Sequence, residues 1–209
     1  MGMSEEDFKQ FLSSEDHQFM LESVRYGLAM YRNPAHYSAE AMRDHNSRTR
    51  AEIRNCHIVG HAARYAMDHP HIQAKRARGR VLFTVRDQLC VSYKMLDKNR
   101  KVQSGSTRQA IMFKNQQPPL DVEWPPEITT AFCGYRYLDV AQTEFDVYVV
   151  CPDGSENRWE YKLSGAEIQD FKPATAPTSE ESSLKAQIGR RIQRKNVEKR
   201  EEAGDGSST

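Results

Sequence analysis

The sequence predicts an α+β domain in which N-terminal helices precede a mainly antiparallel sheet of five or six strands. Before residue 70, apolar residues recur every three or four positions, which is typical of amphipathic helices. From Arg80 onward they cluster instead in short runs of β-branched and aromatic residues. The Asp153-Gly154 step between two such runs predicts a hairpin.

A chain of 209 residues fits one such domain followed by a tail. We expect the domain to span residues 1–171, with a helical part at 4–68 and a sheet part at 80–171. From residue 172 the composition shifts to Lys, Pro, Ala, Thr and Ser, which is typical of a linker. Residues 172–209 are therefore predicted to form a linker and a basic tail that is disordered or conditionally helical.

Two N-terminal helices are predicted. The first runs to about Arg32, because Asn33 and Pro34 end it. Its apolar face comprises Phe19, Met20, Val24, Leu28 and Tyr31. The second spans residues 38–68 and ends before Pro70, since the residue preceding a proline disfavours helical geometry.

Six runs are compatible with strands and alternate with turn residues. They are residues 80–85, 89–96, 108–113, 129–140, 144–151 and 158–163. We expect the last two to pair across the Asp153-Gly154 turn.

Composition excludes some classes of protein. No apolar run approaches the ~20 residues of a membrane span, and the N-terminus lacks a signal-peptide pattern, so we expect a cytosolic protein without a membrane partner. The four cysteines form no C-x-x-C pair and are expected to be buried free thiols. They are Cys56, Cys90, Cys133 and Cys151.

The net charge of +1 conceals a strong segregation of charge along the chain. Residues 42–114 contain sixteen Lys or Arg and five Asp or Glu, whereas residues 115–183 contain four and thirteen. Residues 1–41 are also acidic, with three basic and seven acidic side chains. Such a pattern favours either a polyanion-binding surface or two oppositely charged halves that contact each other.

Within the second predicted helix, basic residues recur at helical spacing. We call Arg43, Arg50, Arg54 and Arg64 the arginine row; Ser47, His57 and His61 share its edge. A neighbouring seam of small and apolar residues is expected to pack against another element. The seam comprises Met42, Asn46, Thr49, Ile53, Cys56, Gly60, Ala63 and Met67.

The arginine row predicts a nucleic-acid-binding accessory protein, because guanidinium groups bind phosphate oxygens in bidentate fashion. The predicted phosphate contacts are Arg43, Arg50, Arg54, Arg64, Lys75, Arg76, Arg78 and Arg80, with Arg190, Arg191, Arg194 and Lys195 in the tail. The nucleic acid would be DNA or RNA, and the two histidines would add charge below about pH 6.5. A further alternative is a protein-protein interaction or self-assembling structural protein, in which the seam and the opposite charges of residues 42–114 and 115–183 drive self-association or docking on an acidic partner. Otherwise the row pairs with the acidic residues of its own chain or is a solvated helix face.

The two arms of the predicted hairpin carry Asp146, Glu160 and Lys162 on one face, with Asp146 opposite Lys162. This pattern resembles the D…E-x-K core of the PD-(D/E)xK nuclease superfamily over residues 145–162. The resemblance implies an alternative function, a nuclease whose carboxylates hold Mg²⁺ while the lysine helps activate water. Otherwise the trio is an ordinary cross-strand ion pair. No other cofactor is predicted, and a metal held by His57 and His61 lacks a third ligand.

Overall fold

Helices precede the sheet, as the α+β prediction requires. In the computed structural model the described residues are 2–77, 79–102, 107–117, 123–125 and 127–167, with side chains through residue 163. The helices are α1 (Glu5–Phe11), α2 (Ser14–Arg32), α3 (Ala39–Asp44), α4 (Ser47–Asp68) and α5 (Arg108–Lys114). The predicted linker and tail at 172–209 lie outside the described residues.

The sheet has six strands in sequential order, β1 to β6. They are β1 (Ile72–Ala77), β2 (Arg80–Val85), β3 (Leu89–Met95), β4 (Thr129–Tyr137), β5 (Glu144–Asp153) and β6 (Glu156–Glu167). Four of the five neighbouring pairs are antiparallel, and β3 with β4 is parallel. A parallel pair needs a crossover, and the segment containing α5 supplies it. The predicted α+β class and mainly antiparallel sheet are confirmed.

Two element predictions in the sheet region are wrong. Residues 108–113 form helix α5 rather than a strand, because Thr107 caps the segment by accepting from the Ala110 amide and the segment is rich in good helix formers. Residues 72–77 form β1, which was not predicted because its sequence has little β propensity. Pairing along the full length of β2 stabilises it as an edge strand.

The predicted second helix is also interrupted. His45 has an extended backbone, and the Asn46 side chain accepts from the Thr49 amide, so α4 begins anew at Ser47. The chain therefore has four helices before the sheet rather than two. The predicted ends at Arg32 and Asp68 are confirmed.

Helices α2 and α4 pack side by side and run in opposite directions. The Phe19 ring contacts the Tyr65 ring at a centroid distance of 5.4 Å, and the Ser23 hydroxyl lies 3.2 Å from His61 Nδ1. One turn further along α2, Gly27 lies against Ile58 of α4. This register decides which side chains meet at the far end of the pair, where Tyr31 lies beside Arg54.

The predicted seam on α4 is wrong, because the helix buries a different face. Its buried residues are Arg54, Ile58 and Ala62, spaced four apart. Cys56 is exposed and Met67 is 84% exposed, although both belong to the seam. The apolar face predicted for α2 is buried as expected.

Apolar residues cover both faces of the sheet. On one face α1, α2 and α4 enclose a core that includes Phe19, Phe83 and Tyr93. On the other, Phe113 of α5 packs on Phe132 with ring centroids 4.8 Å apart. Three of the four free cysteines are buried within the sheet, as predicted, whereas Cys56 is exposed.

The predicted hairpin between β5 and β6 is confirmed. Asp153 pairs with Glu156, and Gly154 has a φ of +62°, which glycine adopts without strain. The register shifts between Cys151 and Pro152 and again between Val147 and Tyr148. After the first shift Lys162 is opposite Tyr148, not Asp146 as predicted, and beyond the second shift Asp146 is opposite Gly165.

Candidate functional site

The arginine row does not form one edge of a single helix. Arg43 is exposed on α3, whereas Arg50 and Arg64 lie on α4, the first half-buried and the second exposed. Arg54 faces the core and is only 6% exposed. The row is thus split between two helices and one member is buried.

The Arg54 guanidinium lies between two tyrosine rings. Its Cζ atom is 4.7 Å from the ring centroid of Tyr31 and 5.2 Å from that of Tyr137. Its Nη2 donates to Gln142 Oε1 at 2.7 Å, while Nε is buried without a hydrogen-bond partner among the described residues. Burial raises the pKa of Tyr135 and of Tyr137, and Arg54 opposes that rise only in part. These phenols stay neutral at physiological pH and cannot serve as counter-ions.

Arg54 lines a surface pocket of about 510 Å³, which we call the arginine pocket. Its lining residues are Tyr31, Arg32, Ala39, Met42, Arg43, Arg50, Arg54 and Gln142. Four arginines from α2, α3 and α4 therefore converge there, and the lining includes no carboxylate.

Neutral acceptors orient three of these guanidinium groups. Arg32 Nη2 donates to the carbonyl oxygens of Ala141 and Gln142 at 2.5 and 2.6 Å. Arg50 Nε donates to the His45 carbonyl at 2.7 Å, and Arg43 Nε approaches the Ala39 carbonyl at 3.4 Å. These contacts position the charges without neutralising them.

The loop between β4 and β5 positions Gln142. This residue has a φ of +59°, unusual for a side chain other than glycine, and its carbonyl is held by Arg32. Asp139 holds the same loop by accepting from the Thr143 hydroxyl and from the amides of Thr143 and Glu144. The hydrogen bond from Thr143 is the main reason that the pKa of Asp139 is lowered to about 2. The Asp139 carboxylate is therefore ionised and committed to the loop.

Within the described part of the chain, none of the four pocket arginines forms an ion pair with a carboxylate. A buried charge without a partner is costly, and native proteins normally pair or ligate such groups. Guanidinium groups match the oxygens of phosphates and carboxylates. The arrangement can therefore bind an oxyanion that brings the missing negative charge.

The acidic segment does not neutralise the arginine row in the described structure. Among the described residues, the cations of the basic segment that pair with residues 115–183 are Arg100, which binds Glu160, and Lys101, which binds Glu156 at 2.6 Å. Arg86 pairs instead with the buried Asp16 of α2 at 2.6 Å.

His57 and His61 are half-buried and lie beside tyrosine side chains. His57 Nε2 lies 2.9 Å from the Tyr37 hydroxyl, and the His61 ring packs on Tyr26 with centroids 4.6 Å apart. Burial is the main cause that lowers the pKa of both histidines, and Arg64 lowers both further. Both therefore gain their positive charge at a lower pH than an ordinary histidine. Among the described residues, no three His, Cys, Asp or Glu side chains form a group that could hold a metal ion.

Lys75, Arg76 and Arg80 lie on the β1–β2 hairpin rather than on the helices that carry the row. Lys75 Nζ is 5.2 Å from the Trp124 ring centroid and donates to the Glu123 carbonyl, while Arg76 is exposed. Arg78 lies outside the described residues, as do Arg190, Arg191, Arg194 and Lys195. No described contact joins this hairpin to the arginine pocket.

Asp146, Glu160 and Lys162 share one face of the sheet, but each carboxylate contacts its own cation. Asp146 is 4% exposed and accepts from Lys162 Nζ at 2.8 Å and from the Tyr148 hydroxyl at 3.0 Å. Glu160 forms a two-point ion pair with Arg100. The two carboxylates are thus engaged separately, and the metal-dependent nuclease stays a prediction.

Sequence reasoning missed five of the eight residues that line the arginine pocket. Tyr31 and Arg32 end a different helix, Gln142 lies in a loop 88 residues from Arg54, and Ala39 has no distinctive chemistry. Met42 was assigned to the wrong seam. No local pattern connects these residues, because the pairing of α2 with α4 brings them together.

No protein-family model, curated protein or solved structure matches this chain. None of the helices in the described ranges is long and apolar enough to cross a membrane.

Proposed function

We propose that this protein binds nucleic acid through its phosphate groups, and that the arginine pocket is the principal contact. The observation that carries this proposal is the convergence of Arg32, Arg43, Arg50 and Arg54 on one pocket without a carboxylate partner in the described residues. Phosphate is the anion most often recognised by clustered guanidinium groups in nucleic-acid-binding proteins.

The four arginines have different roles in the proposed complex. Arg43 is exposed and Arg50 is half-buried, so they make the first contact with a passing strand. Arg32 and Arg54 are held by Gln142 and by neighbouring backbone, and they supply positive charge at fixed positions. Contacts of this kind position a nucleic acid without selecting its sequence.

The hairpin residues Lys75, Arg76 and Arg80 form a second group of cations without carboxylate partners in the described ranges. Trp124 lies beside Lys75 and adds an aromatic surface. Basic and aromatic side chains together favour single-stranded nucleic acid, on whose bases aromatic rings can stack. We assign this hairpin a secondary role.

The test is the affinity of the protein for labelled 20-nucleotide DNA and RNA strands between low and physiological salt. We expect tight binding at low salt that weakens steeply as salt is added. Arg43→Ala with Arg50→Ala should lower the slope of log K against log salt by about 1.4, since each lost phosphate contact contributes about 0.7 for single strands.

Arg48→Ala is the matched control. Arg48 is also an arginine of α4, but it points to solvent, with its side chain 87% exposed, and pairs with Glu52. The Arg48→Ala variant should retain the wild-type slope of log K against log salt. Absence of binding at low salt would overturn the proposal. Equal displacement of the strand by polyglutamate of the same charge would also overturn it, since phosphate would then have no advantage over carboxylate.

A further inference from the structure

We infer that the arginine pocket binds the terminal phosphate of a nucleic-acid strand, so that the protein recognises strand ends. This inference rests on the proposed function and specifies its ligand. It is carried by the position of Arg54, a cation that is 94% buried and yet lines the pocket, with an Nε that has no partner in the described structure.

Access to Arg54 distinguishes a terminal phosphate from an internal one. The guanidinium is covered by the rings of Tyr31 and Tyr137, so a ligand reaches it only by projecting into the pocket. An internal phosphodiester carries a sugar on both sides, which keeps its oxygens near the outer arginine, Arg43. A terminal phosphate has one free side and can approach Arg54 directly.

Charge also favours a strand end. A terminal phosphomonoester carries a charge of roughly −1.5 to −2 at pH 7, whereas an internal phosphodiester carries a charge of about −1. Four arginines without described carboxylate partners leave a large excess of positive charge at the pocket. The more highly charged group offsets more of the cost of burying Arg54.

The pocket is larger than a phosphate requires. Its volume of about 510 Å³ is in the range of sites that hold whole small molecules. Ala39 and Met42 contribute apolar surface to the wall. The pocket can therefore admit the terminal nucleoside together with its phosphate.

The experiment compares one 20-nucleotide DNA sequence in four forms, namely 5′-phosphorylated, 3′-phosphorylated, hydroxyl-ended and covalently circular, by competition at fixed salt. We expect one phosphorylated form to bind at least tenfold more tightly than the hydroxyl-ended and circular forms, and its polarity identifies the end. Adenosine 5′-monophosphate and 3′-monophosphate serve as small competitors with the same two polarities.

Variants link the preference to the pocket. Arg50→Ala should reduce the preference for the phosphorylated end to less than threefold, and Arg48→Ala should keep it. Arg54→Lys retains a cation but not the forked geometry, so it should also lose the preference, with folding checked by circular dichroism. If Arg54→Lys does not fold, Arg50→Ala alone decides.

The outcomes separate the two proposals. Equal affinity for all four forms would overturn end recognition and leave general phosphate binding intact. Failure of every form to bind at low salt would overturn the proposed function itself. A preference for a phosphorylated end that persists in Arg50→Ala would place end recognition elsewhere and overturn this inference.

Discussion

Gly27 of α2 lies directly against the backbone of Ile58 on α4. A Cβ atom at residue 27 would be 2.6 Å from the Ile58 nitrogen and 2.3 Å from its Cγ1. Only glycine permits this separation of the two helices. One helical turn further along, the same register places Tyr31 beside Arg54, so this contact helps to position the arginine pocket.

We expect Gly27→Ala to lower the free energy of unfolding by about 2–3 kcal/mol, because the new methyl group meets backbone that cannot move aside easily. Urea denaturation measures the change. Gly60→Ala is the control on α4, where the nearest atom to a new Cβ is Arg64 Nη1 at 3.8 Å. It should raise stability by about 0.5–1 kcal/mol, since alanine favours helix over glycine. Equal changes in the free energy of unfolding for the two variants would contradict the close packing of α2 on α4.

Asp16 should be far more important to stability than its local sequence motif suggests. It is fully buried, accepts from Ser13 at the start of α2 and from Arg86 at 2.6 Å, and lies 3.2 Å from His71 Nε2. Asp16→Ala removes the carboxylate that pairs with Arg86 and leaves that guanidinium with the Phe11 carbonyl and ring, and we expect it to cost about 3 kcal/mol in chemical denaturation.

The first helix provides a matched comparison for this change. Asp7 makes the same capping box with Ser4 on α1 but is exposed. Asp7→Ala should therefore cause a clearly smaller loss than Asp16→Ala, although both remove the same local motif. Equal losses would show that the cap, not the buried pair with Arg86, accounts for the effect of Asp16.

The half-buried histidines of α4, His57 and His61, predict a loss of stability in mild acid. Burial lowers the pKa of His61 in the folded protein, so between about pH 6.5 and that lower pKa the unfolded chain binds more protons than the folded one. Stability is therefore retained above about pH 6.5 and declines as the pH falls below it. His57 contributes in the same direction.

The measurement is the free energy of unfolding at pH 7.5 and 5.5 for the wild type and for His61→Gln. We expect the variant to lose less stability between the two pH values, because glutamine does not titrate. If His61→Gln loses as much unfolding free energy between pH 7.5 and 5.5 as the wild type does, His61 is excluded as a source of acid sensitivity. Wild-type stability that rises on acidification would contradict the direction of both shifts.

Local sequence signals were sufficient to predict where the long helices end and where one hairpin turns. Asn33 and Pro34 predicted the end of α2, and the turn at Asp153 and Gly154 predicted the β5–β6 hairpin. Such signals depend only on backbone preferences of a few neighbouring residues. Where local signals were weak, as at His45 or along β1, the prediction was wrong.

The candidate site was predicted only in part. Spacing along one helix identified Arg50 and Arg54 as neighbours, but it could not show that Arg54 faces inward, because an arginine is normally assigned to the exposed face. The cost of burying it is reduced by the rings of Tyr31 and Tyr137 and by Gln142, which are remote in sequence. The carboxylate trio lies on one face, as the alternation predicted, but the two register shifts in the β5–β6 hairpin changed which residues are opposite each other.

The sequence by itself determined the class of the fold, the position of the long helices before the sheet and the concentration of positive charge in residues 42–114. Tertiary structure alone decided where that charge is placed. The contact of Gly27 with Ile58 brings the end of α2 to the first turns of α4, and the β4–β5 loop adds Gln142. The physical reason is that charge is a property of the composition, whereas a pocket depends on contacts between residues far apart in the chain.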